Sequence, residues 1–323
     1  MKTFLLPPED SGRADDLSGA DIDLQKSDDA AQAGLPCVLV FNASDPSGAG
    51  GLACDALAIA SVGAHMLPVV TGAYARDTAE IFDHFAFDEE AVSEQARTIL
   101  EDVEVQLIKV GFAGTPENLA EIAETASDYP ELPVVAYMPN LAWWEESKID
   151  AYLDAFRELV LPQTTVLVGN HSTLWRWLLP DWSGERPPSA RDIARAAGES
   201  GVPYTLVTGI VLPDQFFDNV LASPQAVLAS EKYERLEAVF SGAGDTLSAT
   251  LRRCWPAAPN WCRPPASRSA TWTAAWMRAS ARAWATSFPT ACSGPSPRTR
   301  TANPTSKAPA ISRCRRTKHD TDR

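Results

Sequence analysis

The sequence predicts an α/β protein: a doubly wound, mainly parallel sheet flanked by helices in three layers. Short apolar runs alternate with helical stretches from Cys37 onward, the pattern of strands joined by crossover helices. The run Val38-Leu39-Val40-Phe41-Asn42 leads into Ala43-Ser44-Asp45-Pro46-Ser47-Gly48-Ala49-Gly50-Gly51 and then a helical stretch, so strand, glycine loop and helix open a βαβ unit. A second small-residue turn, Ser241-Gly242-Ala243-Gly244-Asp245-Thr246, runs straight into the helical pattern Leu247-Ser248-Ala249-Thr250-Leu251.

In chain order, residues 1–36 hold eight Asp or Glu against three Lys or Arg with little apolar periodicity, and are expected to be an acidic mobile leader. After the first strand, further strands are expected at Leu67 to Thr71, Leu107 to Val110, Pro133 to Tyr137, Thr165 to Val168 and Tyr204 to Thr208. Helices lie between them. Asp88 begins one with acids in its first turn, Thr115-Pro116-Glu117 supplies a cap and an N1 proline, and Ser189-Ala190-Arg191-Asp192 resembles a capping box. Residues 37–251 are enough for one core and short for two.

The composition changes at about Arg252. The 72 residues from there onward contain no Leu, Val, Glu, Gln or Tyr, yet hold five of the ten Trp and twelve Arg. A folded segment needs aliphatic residues to bury, and a disordered one is poor in Trp. Shifting the reading frame to each codon's third base permits Gly-Met-Gly-His at Arg282-Ala283-Trp284-Ala285-Thr286. A frameshift near Arg252 is therefore expected, making 252–323 an aberrant, disordered basic tail. A genuine basic tail that binds nucleic acid or membrane is the alternative.

The whole chain carries a formal charge of −14, but this tail holds 14 basic and 2 acidic residues, leaving 14 basic and 40 acidic in residues 1–251. So acidic a body argues against nucleic-acid or anionic-membrane partners. Four of the six cysteines also lie in the tail; Cys37 and Cys54 have neither disulfide nor zinc spacing and read as buried thiols of a reducing compartment. No signal peptide or membrane span is visible, and a cytoplasmic location is expected.

Glycines let successive backbone N–H groups converge on one point, and a helix start adds roughly half a positive charge there. A turn of this kind suits a phosphate, with Asp245 placed as a base beside it. Alone, Gly242 and Gly244 could merely shape a turn and Asp245 merely cap a helix. Two such loops at strand ends point to a ligand between them.

Together the two segments resemble the ribokinase superfamily of small-molecule kinases. The first, Asp45 to Gly51 with Asp55 following, is most similar to hydroxymethylpyrimidine/phosphomethylpyrimidine kinases of thiamine biosynthesis. The resemblance continues through Thr71 to Thr78, Lys109-Val110-Gly111-Phe112, Val166 to Asn170 and Leu206-Val207-Thr208-Gly209. It implies a ribokinase-like fold and ATP-dependent phosphorylation of 4-amino-5-hydroxymethyl-2-methylpyrimidine, its monophosphate, or both. Asp245 would be the base, and the backbone of Gly242, Ala243 and Gly244 the anion hole. Asn42, Asp45, Gly48, Arg76 and Phe112 would bind substrate, and Asn170, Thr208 and Gly209 the nucleotide. ATP with Mg²⁺ and a small pyrimidine are the implied ligands, and a homodimer is suggested. A pyridoxal-type kinase and a non-catalytic pyrimidine-binding pseudokinase are the alternatives. Helices that the family carries at its C-terminus are missing from the frame as written, so reduced stability and activity are expected.

Four positions depart from the family. Gly244-Asp245-Thr246 stands where pyrimidine kinases often have Gly-Cys-Thr, and Arg76-Asp77-Thr78 where they have Gln-Asn-Thr. Gln offers a donor and an acceptor to an aminopyrimidine edge, whereas Arg offers only donors, favouring a phosphorylated substrate unless it merely pairs with Asp77 or Glu80. The usual Asp-Pro after the strand at 133–137 is missing from Val134-Val135-Ala136-Tyr137-Met138-Pro139-Asn140. The Glu of a metal-associated Asn-x-x-Glu is missing from Asn170-His171-Ser172-Thr173. Metal ligands therefore stay unassigned. His65, His84 and His171 lack metal-ligand spacing. Trp143 and Trp144 could cover a ring or pack against the core, and Lys109 could approach a phosphate or form an ion pair.

Overall fold

The computed structural model describes residues 35–77, 79–213, 215–234 and 242–249. The expected leader up to residue 34, Thr78, Ser241 and the tail from 252 lie outside the described residues. The elements are β1 (Cys37–Ser44), α1 (Gly51–Ser61), β2 (His65–Arg76), β3 (Ile81–Ala86), α2 (Glu89–Asp102), β4 (Val105–Val110), α3 (Pro116–Asp128) and β5 (Val134–Met138). They continue as α4 (Glu146–Ala155), β6 (Val166–Asn170), α5 (His171–Leu178), α6 (Ala190–Glu199), β7 (Tyr204–Val211), β8 (Phe216–Ala222), β9 (Val227–Glu234) and α7 (Ala243–Ala249).

The nine strands form one sheet in the order β3-β2-β1-β4-β5-β6-β7-β8-β9. The six from β2 to β7 are parallel, while β3, β8 and β9 join antiparallel at the two edges. Strand order reverses at β1, which has β2 on one side and β4 on the other. In open α/β sheets the ligand crevice lies at the carboxyl ends of the strands beside such a switch.

Both faces of the central strands are covered, which is why they read as largely apolar runs. Leu39 and Phe41 of β1 face one layer with Val92 of α2, Leu119 and Ile122 of α3 and Tyr152 of α4. Val38 and Val40 face the other with Leu52 and Ile59 of α1 and Ala249 of α7. The expected helix starts are present: Asp88 accepts from Ala91 N, Thr115 accepts from Asn118 N, and Ser189 with Asp192 forms a reciprocal capping box.

Three strands were not anticipated. β3 is an edge strand with Phe82 65% and Phe85 61% exposed, so neither face carries a buried apolar pattern. Its pairing with β2, from Gly72 opposite Ala86 to Arg76 opposite Ile81, carries β2 five residues beyond the expected end at Thr71. β8 and β9 form a hairpin beyond β7. Of the two cysteines read as buried, Cys54 is buried, but Cys37 opens β1 at the rim of the core and is half-buried.

Candidate active site

Alternation along three neighbouring strands builds the site. Val40 of β1 is in register with Lys109 of β4, and Lys109 with Val135 of β5. Side chains two residues apart share a face, so Asn42, Lys109 and Tyr137 all point toward α1 and α7. On α1, Asp55 lies in the stripe with Leu52 and Ile59, and is buried as completely as they are. The fold thus seals an ammonium against a carboxylate at the carboxyl end of the sheet.

Lys109 Nζ is ion-paired with Asp55 Oδ1 and lies 3.4 Å from Asp245 Oδ1. Asn42 Nδ2 donates to Asp55 Oδ2 at 2.9 Å and to Asp245 Oδ1 at 3.1 Å. Asn42 Oδ1 accepts from Ala43 N and Phe112 N, which fixes the amide orientation. Gly51 N donates to Asp245 Oδ2 at 3.2 Å. The Lys109 and Asp55 side chains are fully shielded from solvent, whereas that of Asp245 keeps 15% exposure. Two carboxylates therefore share one ammonium, and Asp245 is the one that reaches the cleft.

Burial pushes the Asp55 carboxyl above the usual carboxylate range despite Lys109, and the nearby Asp245 adds to it. For Lys109, burial alone would favour the neutral amine; Asp55 and Asp245 outweigh it, and the net direction is upward. The cluster keeps its ammonium and holds its second negative charge at a cost.

The two glycine loops meet directly. Gly242 has φ +75°, and a Cβ there would collide with the carbonyl oxygen of Ala49 in the first loop. Only glycine allows this approach. Cys54 of α1 bonds the second loop from beneath, with Sγ 2.8 Å from Thr246 Oγ1 and 3.6 Å from the Gly242 carbonyl. Burial, reinforced by Asp245, pushes the Cys54 thiol up to about 12, so it is a structural thiol rather than a nucleophile.

Between the loops and the β2–β3 hairpin lies a cleft of about 640 Å³, lined by Asp45, Tyr74, Arg76, Glu80, Tyr137, Trp143, Gly242 and Asp245 among others. Arg76 Nη1 pairs with Asp45 Oδ2 at 3.2 Å, and its Nε donates to the Asp77 carbonyl. Its acidic partner is thus Asp45, rather than the Asp77 or Glu80 carboxylate considered from sequence. Asp45 also accepts from Gly50 N, Ser47 N and Ser47 Oγ.

Among the residues assigned to substrate, Asp45 and Arg76 line the cleft and Asn42 lies beneath Asp245, while Gly48 and Phe112 are not in the lining. Phe112 stacks on Tyr74 at 5.7 Å and meets Trp143 edge-on at 5.7 Å, and those two rings form the aromatic wall. Asn170, Thr208 and Gly209 gather separately at the ends of β6 and β7. Asn170 caps α5 through Ser172 N, Thr208 Oγ1 donates to the Gly169 carbonyl, and Gly209 N donates to Asn219 Oδ1. For Lys109 the sequence left open a phosphate contact or an ion pair, and the ion pair is the one formed, while Asp55 and Tyr137 were given no catalytic or binding role. A lysine two residues after Leu107 in an otherwise apolar strand, and an acid in the apolar stripe of α1, were the available signals.

A model of the family described as phosphomethylpyrimidine kinase matches residues 45–254. The chain belongs to this family. The hydroxymethylpyrimidine/phosphomethylpyrimidine kinase of Escherichia coli is 24% identical over 237 residues, covering 69% of this chain and 84% of that protein. A chloroplastic thiamine biosynthetic bifunctional enzyme of Arabidopsis thaliana is 26% identical over 182 residues, 56% of this chain and 34% of that enzyme. Of the first three curated relatives, the chain spans 34%, 33% and 58% of their lengths. Among solved structures, the phosphomethylpyrimidine kinase of Clostridium difficile superposes with TM-score 0.55 at 17% identity, covering 76% of this chain and 99% of that one. A Staphylococcus aureus pyridoxal kinase in complex with AMP-PCP gives TM-score 0.60 at 17% identity, covering 68% and 80%. At those identities the two structures share the fold with this phosphomethylpyrimidine kinase family member.

Within this family member, residues 134–140 hold no strand-end Asp, and Asn170 heads α5 without the following Glu. Among the described residues no three His, Cys, Asp or Glu side chains gather to hold a metal ion. These residues do not fit a protein-held Mg²⁺. Nor is any helix among the described residues long and apolar enough to cross a membrane.

Proposed function

We propose that this chain is an ATP-dependent kinase that phosphorylates 4-amino-5-hydroxymethyl-2-methylpyrimidine, its monophosphate, or both. The single observation that carries the reading is Asp245: a carboxylate at the cleft wall, oriented on both oxygens by Gly51 N, Asn42 and Lys109, at the end of a glycine loop. Membership of the phosphomethylpyrimidine kinase family supplies the substrate class, and the wall of Tyr74 and Trp143 suits a flat heteroaromatic ring.

In this reading the acceptor hydroxymethyl oxygen attacks the γ-phosphorus of ATP. Its O–P bond forms as the bond to the β,γ-bridging oxygen breaks, and ADP leaves with that electron pair. Asp245 takes the hydroxyl proton. Phosphoryl transfer demands mainly alignment and charge stabilisation, and here backbone N–H groups of Gly242, Ala243 and Gly244 face the group in transit. The monophosphate as acceptor attacks through a phosphate oxygen that needs no base, so Asp245 matters most for the alcohol. Mg²⁺ is expected to arrive with the nucleotide, since the described residues offer no cluster to hold it.

A second reading, a pyrimidine-binding protein without turnover, is favoured by Tyr137, Thr173 and the loss of the family's Asp and Glu. The two separate in one experiment. Calorimetric titration with the pyrimidine and ATP, followed by ADP quantification, gives binding with turnover for the kinase and binding alone for the other. Failure to bind either pyrimidine removes both readings.

A further inference from the structure

Among the described residues, Tyr137 is a cleft residue whose polar end meets the second glycine loop without a hydrogen-bond partner there. It lies one residue before the end of β5 on the same sheet face as Lys109, whose Nζ lies 6.0 Å from the centroid of its ring. The phenol reaches across to Gly244, where a Cβ would collide with the Tyr137 hydroxyl. That contact explains the glycine at 244: any side chain there would displace the ring. No hydrogen bond to another described residue occupies the hydroxyl, although Tyr137 lines the cleft. Burial, together with Asp245 and Asp55, holds the phenol far above its ordinary pKa. Tyr137 is therefore a neutral O–H donor at every working pH.

We propose that Tyr137 is a catalytic residue of this chain, its phenol O–H donating a hydrogen bond to a non-bridging oxygen of the phosphoryl group in flight. The role rests on the kinase reading above, because it presupposes a phosphoryl group passing Gly244. Placement supports it. The loop backbone around Gly242 to Gly244 and the Asp245 carboxylate bracket the space that the group must cross, and the Tyr137 hydroxyl opens onto it. Chemistry supports it too. The strand-end acid of the family pattern is absent from residues 134–140, and an acid facing phosphate would need a cation between them. A neutral donor needs none. Tyr137 keeps its proton throughout, so the transfer still balances as one O–P bond made, one broken and one proton passed to Asp245. A fixed donor aimed at developing charge needs no reorganisation during the reaction, which is where such groups gain their effect.

The test is Tyr137→Phe in the full chain, which removes only the hydroxyl. The expected result is a fall in kcat of tenfold or more, with KM for ATP and for the pyrimidine within twofold and an unchanged thermal midpoint. A kcat within twofold of the parent overturns the proposal while leaving the kinase reading intact. So does a faster Tyr137→Ala variant, which would mean that the ring obstructs the loop. A parent silent with every acceptor sinks the kinase reading instead, and a second readout then decides Tyr137 by itself. That readout is calorimetric affinity for ADP with aluminium fluoride, a mimic of the phosphoryl group in transit, against ADP alone. A tenfold loss confined to the fluoride complex in Tyr137→Phe supports the hydrogen bond, and equal affinities overturn it.

Discussion

Replacing Lys109 by Met should destabilise the chain more than any other single substitution at the site. Lys109 is in contact with Asp55 and 3.4 Å from Asp245. At an effective dielectric of about 20, a unit-charge pair at that separation attracts by roughly 5 kcal/mol. Much of this offsets desolvation, but deleting the cation leaves two carboxylates facing each other without compensation. Breaking a buried pair from one side costs roughly 3–5 kcal/mol, comparable to the whole stability of a marginal domain. Asp55→Asn should behave differently. The Asp55 carboxyl is already held above its ordinary range by burial, and Lys109 retains Asp245, so its loss should cost less than about 1 kcal/mol. The double variant Lys109→Met/Asp55→Asn should recover at least about 2 kcal/mol relative to Lys109→Met, because one stranded charge is gone. Urea denaturation of the four proteins at neutral pH measures all three quantities. A loss below 1 kcal/mol for Lys109→Met, or equal losses for the two single variants, would refute the view that one ammonium holds both acids.

Two other expectations concern the aromatic cluster behind the cleft and the contact between the glycine loops. His84 packs edge-on to Tyr74 and Phe112 with Nε2 buried and unpartnered, and burial lowers its pKa from 6.5 to about 4. The unfolded chain takes up this proton first, so its contribution to stability is intact above pH 6.5 and is lost as pH falls from 6.5 to 4. The loss is at most about 3 kcal/mol, reduced by the solvent that reaches the ring. Thermal melts across that window should show it in the parent, with a flatter profile in His84→Leu; identical profiles would remove His84 as the cause. Gly242→Ala should abolish most turnover, since a methyl group collides with the Ala49 carbonyl and φ is +75°. The strain is roughly 1–3 kcal/mol before the clash, and a fully active alanine variant would show that the two loops need not touch.

The fold was legible wherever both sheet faces are covered. Val38 to Phe41 and Val166 to Val168 are apolar without interruption, and Leu107 to Val110 is apolar but for Lys109, because helices pack on either side. β3 escaped detection because its exposed Phe82 and Phe85 fall on opposite faces of an edge strand, and period-2 reasoning needs one wet face and one dry. The glycine loops and Asp245 were visible because a phosphate turn requires small residues at fixed spacing. The Lys109–Asp55–Asp245 cluster was not, since its members lie up to 190 residues apart (55 to 245) and only strand register brings them together. Arg76 was recognised as an unusual cation. Its partner Asp45 lies on another strand's loop, however, and local reasoning favoured the neighbouring acids.

The measurement that bears most directly on the account is ATP consumption by the full chain with hydroxymethylpyrimidine, its monophosphate and pyridoxal in parallel, beside Asp245→Asn. The account predicts turnover of a pyrimidine, with the alcohol reaction lost in the Asn variant. Turnover of pyridoxal alone, or pyrimidine binding with no ATP consumed, would contradict it.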